Sequence, residues 1–192
     1  MCGRFSLDTD RRGVIKRYPL FKISTFKCSE EIFPGTKIQG FSKNERLEEY
    51  YWGITVDFMK RKIINSRIEK IYESKFFKDD FEKDRILVPA TSFFEWKNTV
   101  SGKDKYQISV ERPIFSLAAI GRRKGRKEIS LLTTEAKGKI QSIHHRMPII
   151  VPQNLEEEYL YSKKPKNLQQ KLMNLQPNFI IENKSDVQLS FL

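Results

Sequence analysis

Cys2 stands one position behind the initiator residue, and its chemistry depends on whether Met1 is kept. Removal of Met1 would leave a chain that begins with cysteine, a 1,2-aminothiol. Its amine and thiol have reference pKa values of about 7.7–8.0 and about 8.5 and sit on adjacent carbons. An aldehyde can condense with that amine to an imine, and the thiolate then adds to the imine carbon and closes a five-membered thiazolidine. An internal cysteine has no free amine and cannot do this. The ordinary alternative is a small buried cysteine that happens to follow the start residue.

Both histidines of the chain fall in His144-His145-Arg146-Met147-Pro148. Zinc is a poor fit, because further ligands would have to come from distant segments and neighbouring residues of an extended chain point oppositely. One imidazole acting as an acid/base group near neutral pH is the better chemical use, with a surface and a packed histidine as the plain alternative. Glu95 lies between Phe94 and Trp96 in a strand-like segment. Apolar rings around a carboxyl raise its pKa toward the range that suits proton transfer, unless strand alternation turns it to solvent. Asn65-Ser66-Arg67-Ile68-Glu69 reads as a helix start capped by Asn or Ser.

Trp52, Trp96, Phe93 and Phe94, beside Arg4, Arg67, Arg122, Arg123, Arg126 and Arg146, could supply base-stacking faces and phosphate contacts, although aromatic residues in strands are more often core. No Walker loop, GxGxxG, GxSxG or HExxH pattern occurs, so nucleotide hydrolysis, Rossmann chemistry and the common serine or metallohydrolase sites have no support.

The elements that must position these groups are mostly strands. Segments rich in β-branched and aromatic residues run over 50–56, 86–89, 92–96, 106–110, 114–120, 129–134 and 147–151. Tyr106, Ile108 and Val110 alternate with polar residues as in a half-buried strand. Residues 98–103 read as a hairpin loop and 121–127 as a basic one. Short helices are expected over 8–17, 67–76, 136–143, 154–161 (with an Asn154 cap) and 166–175. Strands without regular helical crossovers predict an α+β fold, a mainly antiparallel sheet or open barrel with short peripheral helices.

The chain has 192 residues, enough to bury a core without staples, and no repeat or linker divides it, so one domain is expected. With 39% hydrophobic and 31% charged residues it has a soluble globular composition, and no apolar run approaches the roughly 20 residues of a membrane span. Two cysteines, Cys2 and Cys28, exclude a disulfide framework and fit a reducing cytoplasm. Nothing after Met1 resembles a secretory signal, so the start of the chain is read as the start of the fold. The net charge of +12 fits a polyanionic partner or a solvated basic surface.

In order and spacing, Met1-Cys2-Gly3-Arg4-Phe5, Trp52-Gly53-Ile54, Asn65 to Glu69, Arg85 to Ala90, Phe93-Phe94-Glu95-Trp96, Thr133 to Ala136 and Ile143 to Pro148 resemble the SOS response-associated peptidase (SRAP) family. The resemblance implies a single domain over 1–192, motif-bearing to residue 151 and followed by a helical tail from about 152. It implies a protein of the DNA damage response that binds single-stranded DNA and attaches covalently to the aldehyde of an abasic site. Position by position, Cys2 resembles the nucleophile, Asn65 the group that orients its amine, Glu95 an acid/base group, and His144 the partner at the sugar oxygen. Arg4, Arg67 and Arg146 resemble phosphate-binding arginines, Trp52 and Trp96 base-wedging residues, and Thr133 a further site position. No metal, cofactor or membrane is implied, and a cytoplasmic monomer associating with the nucleoid through DNA is expected. A thiol peptidase using Cys2, His144 and Glu95, with removal of Met1 as its one cleavage, and a non-catalytic basic binding module are the alternatives. The chain departs from the family pattern at Glu31-Ile32-Phe33-Pro34, where an Asn is usual, and around Val56, Phe58 and Ile86.

Overall fold

The computed structural model describes residues 2–56, 61–100, 102–123 and 125–185. In chain order the elements are β1 (Phe5–Leu7), α1 (Arg11–Arg17), β2 (Ser29–Ile32), β3 (Lys37–Phe41), β4 (Leu47–Trp52), β5 (Asn65–Arg67), α2 (Lys78–Lys83), β6 (Arg85–Ala90) and β7 (Ser92–Thr99). They continue with β8 (Gly102–Val110), β9 (Phe115–Arg122), β10 (Glu128–Glu135), β11 (Arg146–Pro148), β12 (Ile150–Val151), α3 (Gln153–Tyr161), α4 (Pro165–Met173) and β13 (Phe179–Asn183).

The α+β architecture expected from the sequence is present. Strands β10, β4, β3, β6 and β9 pair in succession and β9 returns to β10, closing a small barrel. Closure buries β6, β9 and β10 almost throughout, which is why β6 and β9 read as mostly apolar runs rather than alternating ones. Gly40 on β3 allows that closure, because an added Cβ would come within 2.6 Å of Ile86 Cγ2 on β6. A second sheet, ordered β13-β8-β7-β1-β2, packs beside the barrel. Phe5, Trp52, Phe93, Ile108 and Leu131 share the core that includes the two, while Val14, Tyr18, Phe81, Tyr159 and Leu168 form another beneath the helices.

Several sequence expectations are corrected. No α-helix covers 67–76: Asn65, Ser66 and Arg67 form β5, parallel to β10, and only a 3-10 turn, Ile68–Lys70, follows. The tertiary partner wins over helical propensity, since β10 pairs with Asn65–Arg67 and the Ile68 carbonyl accepts from Gln169 Nε2 at 2.7 Å. Asn65 is therefore not a helix cap. The one or two helical turns expected over 136–143 are present as a 3-10 helix, Gly138–Ser142. In α3 the cap position is Pro152 with no side-chain bond, so Asn154 lies inside the helix. Asp10 caps α1 through the Gly13 N–H at 2.7 Å, but the helix starts only at Arg11. The tail is not purely helical, because β13 extends the second sheet along β8. Val56 and Ile86 are buried packing residues, and Phe58 lies outside the described residues. Among the described residues no helix is long and apolar enough to cross a membrane.

Candidate nucleic-acid site at the amino end of the chain

The long strand β10 assembles much of the site. Its start pairs with β4, its middle with β5, and its end with β11, so one strand aligns Asn65, Thr133 and the segment carrying His144 and Arg146. β1 lies antiparallel to β7, and the Phe94 N–H donates to the Arg4 carbonyl at 2.9 Å, which brings Glu95 beside the first residues of the chain. Asn65 Nδ2 donates to the Cys2 carbonyl at 2.8 Å. Three residues from three distant parts of the sequence thus meet at one backbone.

Glu95 faces inward, at 3% exposure, and burial pushes its carboxyl up to about 7. Cys2 is fully covered; burial, and then the nearby charge of Glu95, raise its thiol well above the ordinary range. Its Sγ lies 3.7 Å from the Arg4 carbonyl, a weak S–H···O contact. The Asn65 Oδ1 is buried and has no hydrogen-bond partner among the described residues.

His144 follows the Gly138–Ser142 turn, and its N–H donates to the Ile140 carbonyl at 2.9 Å. Its Nδ1 is engaged by the main chain of Arg146, with the N–H at 2.9 Å and the carbonyl at 3.0 Å. Burial lowers its pKa, which favours the neutral ring at neutral pH. His145 stacks on it at 4.4 Å and is itself exposed.

Three expected DNA contacts lie in the interior instead. Trp52 is 0% exposed, donates Nε1–H to the Ile64 carbonyl at 2.9 Å and meets Phe5 edge-on at 5.2 Å. Thr133 is likewise covered. Arg146 is 5% exposed and forks onto Glu69 at 3.0 and 2.9 Å, with a third bond to the Thr133 carbonyl at 2.8 Å. All three side chains are covered in this structure, and their hydrogen bonds run to the protein's own groups. Glu69, to which the sequence reading gave no role, is the anchor: it also accepts from Thr134 Oγ1 and the Glu135 N–H. The signal was its place in the Asn65–Glu69 block, two residues after Arg67.

Arg4, Trp96 and Arg67 keep accessible surface. The Arg4 guanidinium lies 4.4 Å from the Phe33 ring centroid and 4.8 Å from that of Trp96. Arg67 is exposed at the end of β5. Among the described residues no group of three or more His, Cys, Asp or Glu side chains is placed to hold a metal.

A family model described as SOS response associated peptidase (SRAP) matches residues 1–185. The chain belongs to the SRAP family. Its relatives include the abasic site processing protein YoaM of Bacillus subtilis, 28% identical over 183 residues, covering 85% of this chain and 80% of that one. The abasic site processing protein YedK of Escherichia coli is 29% identical over 181 residues, covering 83% and 79%. The SRAP fold recurs in a crystal structure of a Bacteroides thetaiotaomicron protein, with TM-score 0.84 at 22% identity over 95% of this chain and 91% of that one. A phage-related protein from Bordetella bronchiseptica matches with TM-score 0.82 at 23% identity, over 95% and 93%. Family membership reaches into the tail, where α4 supplies core residues Leu168 and Leu172.

Proposed function

We propose that this SRAP protein processes abasic sites in single-stranded DNA by forming a thiazolidine between the ring-opened sugar and a Cys2 made N-terminal by loss of Met1. The observation that carries the reading is Asn65. One end of its carboxamide holds the Cys2 carbonyl, while the other is a buried acceptor with no partner among the described residues, suited to an amine on residue 2.

Chemistry assigns the remaining roles. The Cys2 amine adds to the C1′ aldehyde, a proton passes from nitrogen to oxygen, and one water leaves as the imine forms. The thiol then adds its sulfur to the imine carbon and its proton to the nitrogen, so the adduct weighs the sum of the partners less one water. Glu95, with a pKa near 7, can donate and recover these protons. His144, favoured as a neutral ring, serves the sugar's ring oxygen or hydroxyl during opening. Arg4 and Arg67 bind backbone phosphates and Trp96 offers a base-stacking face. The site acts in the cytoplasm, on the nucleoid, as part of the DNA damage response.

A broad thiol peptidase is disfavoured because a nucleophile at the second residue is well placed for cleavage of the bond that precedes it and poorly explained for added peptides. With Met1 retained, the nitrogen of Cys2 is an amide and cannot form an imine. The test is an abasic single-stranded oligonucleotide followed on a denaturing gel and by intact mass. A heat-resistant adduct, one water lighter than its parts and absent from Cys2→Ala and from Met1-retaining protein, is expected. An adduct undiminished in Cys2→Ala overturns the reading, as does the absence of any adduct with Met1-free protein.

A further inference from the structure

Glu31, the departure from the family pattern, occupies a position where two ring-flanked cations meet. It lies on β2, beside β1 through the Phe5↔Ile32 register. Arg4 Nη1 donates to Oε2 at 2.9 Å, and Lys105 Nζ donates to Oε1. Lys105 stands opposite Trp96 across the β7–β8 pairing, and its Nζ is 4.6 Å from the Phe94 centroid. Burial opposes ionisation of Glu31, yet the bonds from Lys105 and Arg4 hold its carboxyl below the usual range. All three side chains are about a quarter exposed, at 27% for Arg4, 28% for Glu31 and 26% for Lys105, so a ligand can reach them.

Each carboxylate oxygen faces its own cation. The two non-bridging oxygens of a phosphodiester ask for the same arrangement, and the rings that flank Arg4, the exposed Phe33 and the half-buried Trp96, keep surface of their own beside it. We infer that Arg4 and Lys105 form a cradle for a backbone phosphate of single-stranded DNA, and that Glu31 is its resident anion, displaced when a strand binds. This inference rests on the DNA-binding reading above. The consequence is selectivity: every strand must break two ion pairs to enter, so intact DNA is held weakly and retention falls to the covalent step. Lys105 thereby becomes a DNA contact, and Glu31 sets the threshold for occupancy.

The experiment is fluorescence anisotropy with an undamaged, labelled single-stranded oligonucleotide, so that no crosslink enters the readout. Glu31→Gln and Glu31→Ala should each bind about fivefold tighter than the parent, the scale of two partly exposed ion pairs. In a Lys105→Gln background the gain should fall below about twofold, as it should for Glu49→Gln, which removes the same charge from a carboxylate bound to Lys27 and Lys37. No tightening, an equal gain in Glu49→Gln, or a full gain without Lys105 overturns the proposal. So does failure of both Glu31 variants to fold, since an anion required by the fold is not one that DNA displaces. Crosslinking that persists without tightening sinks this inference alone; tightening without any crosslink sinks the covalent reading and leaves this one standing.

Discussion

Two arginine–glutamate pairs flank the same site, Arg146–Glu69 beneath it and Arg4–Glu31 at its edge. Arg146 and Glu69 have side-chain exposures of 6% and 24%, and the guanidinium is forked onto the carboxylate, which also accepts from Thr134 and the Glu135 main chain. Arg4 and Glu31 are 27% and 28% exposed and share a single bond, with two rings against the cation. The same two residue types build a fixed support in one place and an exchangeable contact in the other. What separates them is how many further partners the fold supplies and how much water reaches the pair.

The largest effect that sharpens this contrast is on stability. Arg146→Ala should cost about 3 kcal/mol, because it strands Glu69 beside buried strand ends, and chemical denaturation measures it. A loss below about 1 kcal/mol would place Arg146 with the exchangeable pair instead. Next comes Glu95, whose folded pKa near 7 exceeds its unfolded value. A carboxyl raised by folding stabilises most below its unfolded pKa, about 4.3, and that contribution is lost as pH rises through 7. Glu95→Gln should therefore remove a stability decline on the order of 2 kcal/mol between pH 5 and 8. The crosslinking rate should also lose an inflection near pH 7 in that variant; an unchanged profile would show that Glu95 does not titrate there.

Glu69 and Glu31 test the pairs in acid. Both carboxyls are held low in the folded state: burial acts against ionisation in each, and hydrogen bonds from Arg146 or from Lys105 and Arg4 overcome it. Their contribution is present above the unfolded pKa and lost as pH falls through the folded one. Urea midpoints at pH 7 and pH 3 should converge more in Glu69→Gln than in Glu31→Gln, and equal behaviour would erase the distinction. The smallest change should be the stability of Arg4→Ala, under about 1 kcal/mol, alongside weaker binding of single-stranded DNA by anisotropy. A stable variant with unaltered binding would remove Arg4 from the interface.

Much of the framework was legible from local pattern. The strands around Ile86–Pro89, Ser92–Trp96 and Ile129–Thr134, the hairpin before Gly102 and the family's motif order depend on neighbours a few residues away, and the structure has them in place. Short strands without strong periodicity were missed: β1, β2, β3, β5 and β13 owe their conformation to partners elsewhere in the chain. The same distance limit explains Trp52 and Arg146. Their types suit a nucleic-acid surface, but Trp52 is enclosed by Phe5 and the Ile64 carbonyl, and Arg146 by Glu69 and Thr133.

The amino-acid sequence by itself determined which reactive groups exist and in what order: a cysteine at position 2, one Asn-led block, one carboxyl between rings, and a lone pair of histidines. Only the tertiary structure decided which of them are buried, which are paired and which face the edge where Arg4, Glu31 and Lys105 meet. Chemical identity is carried by each side chain alone, whereas desolvation and charge pairing arise from segments brought together across the sheet.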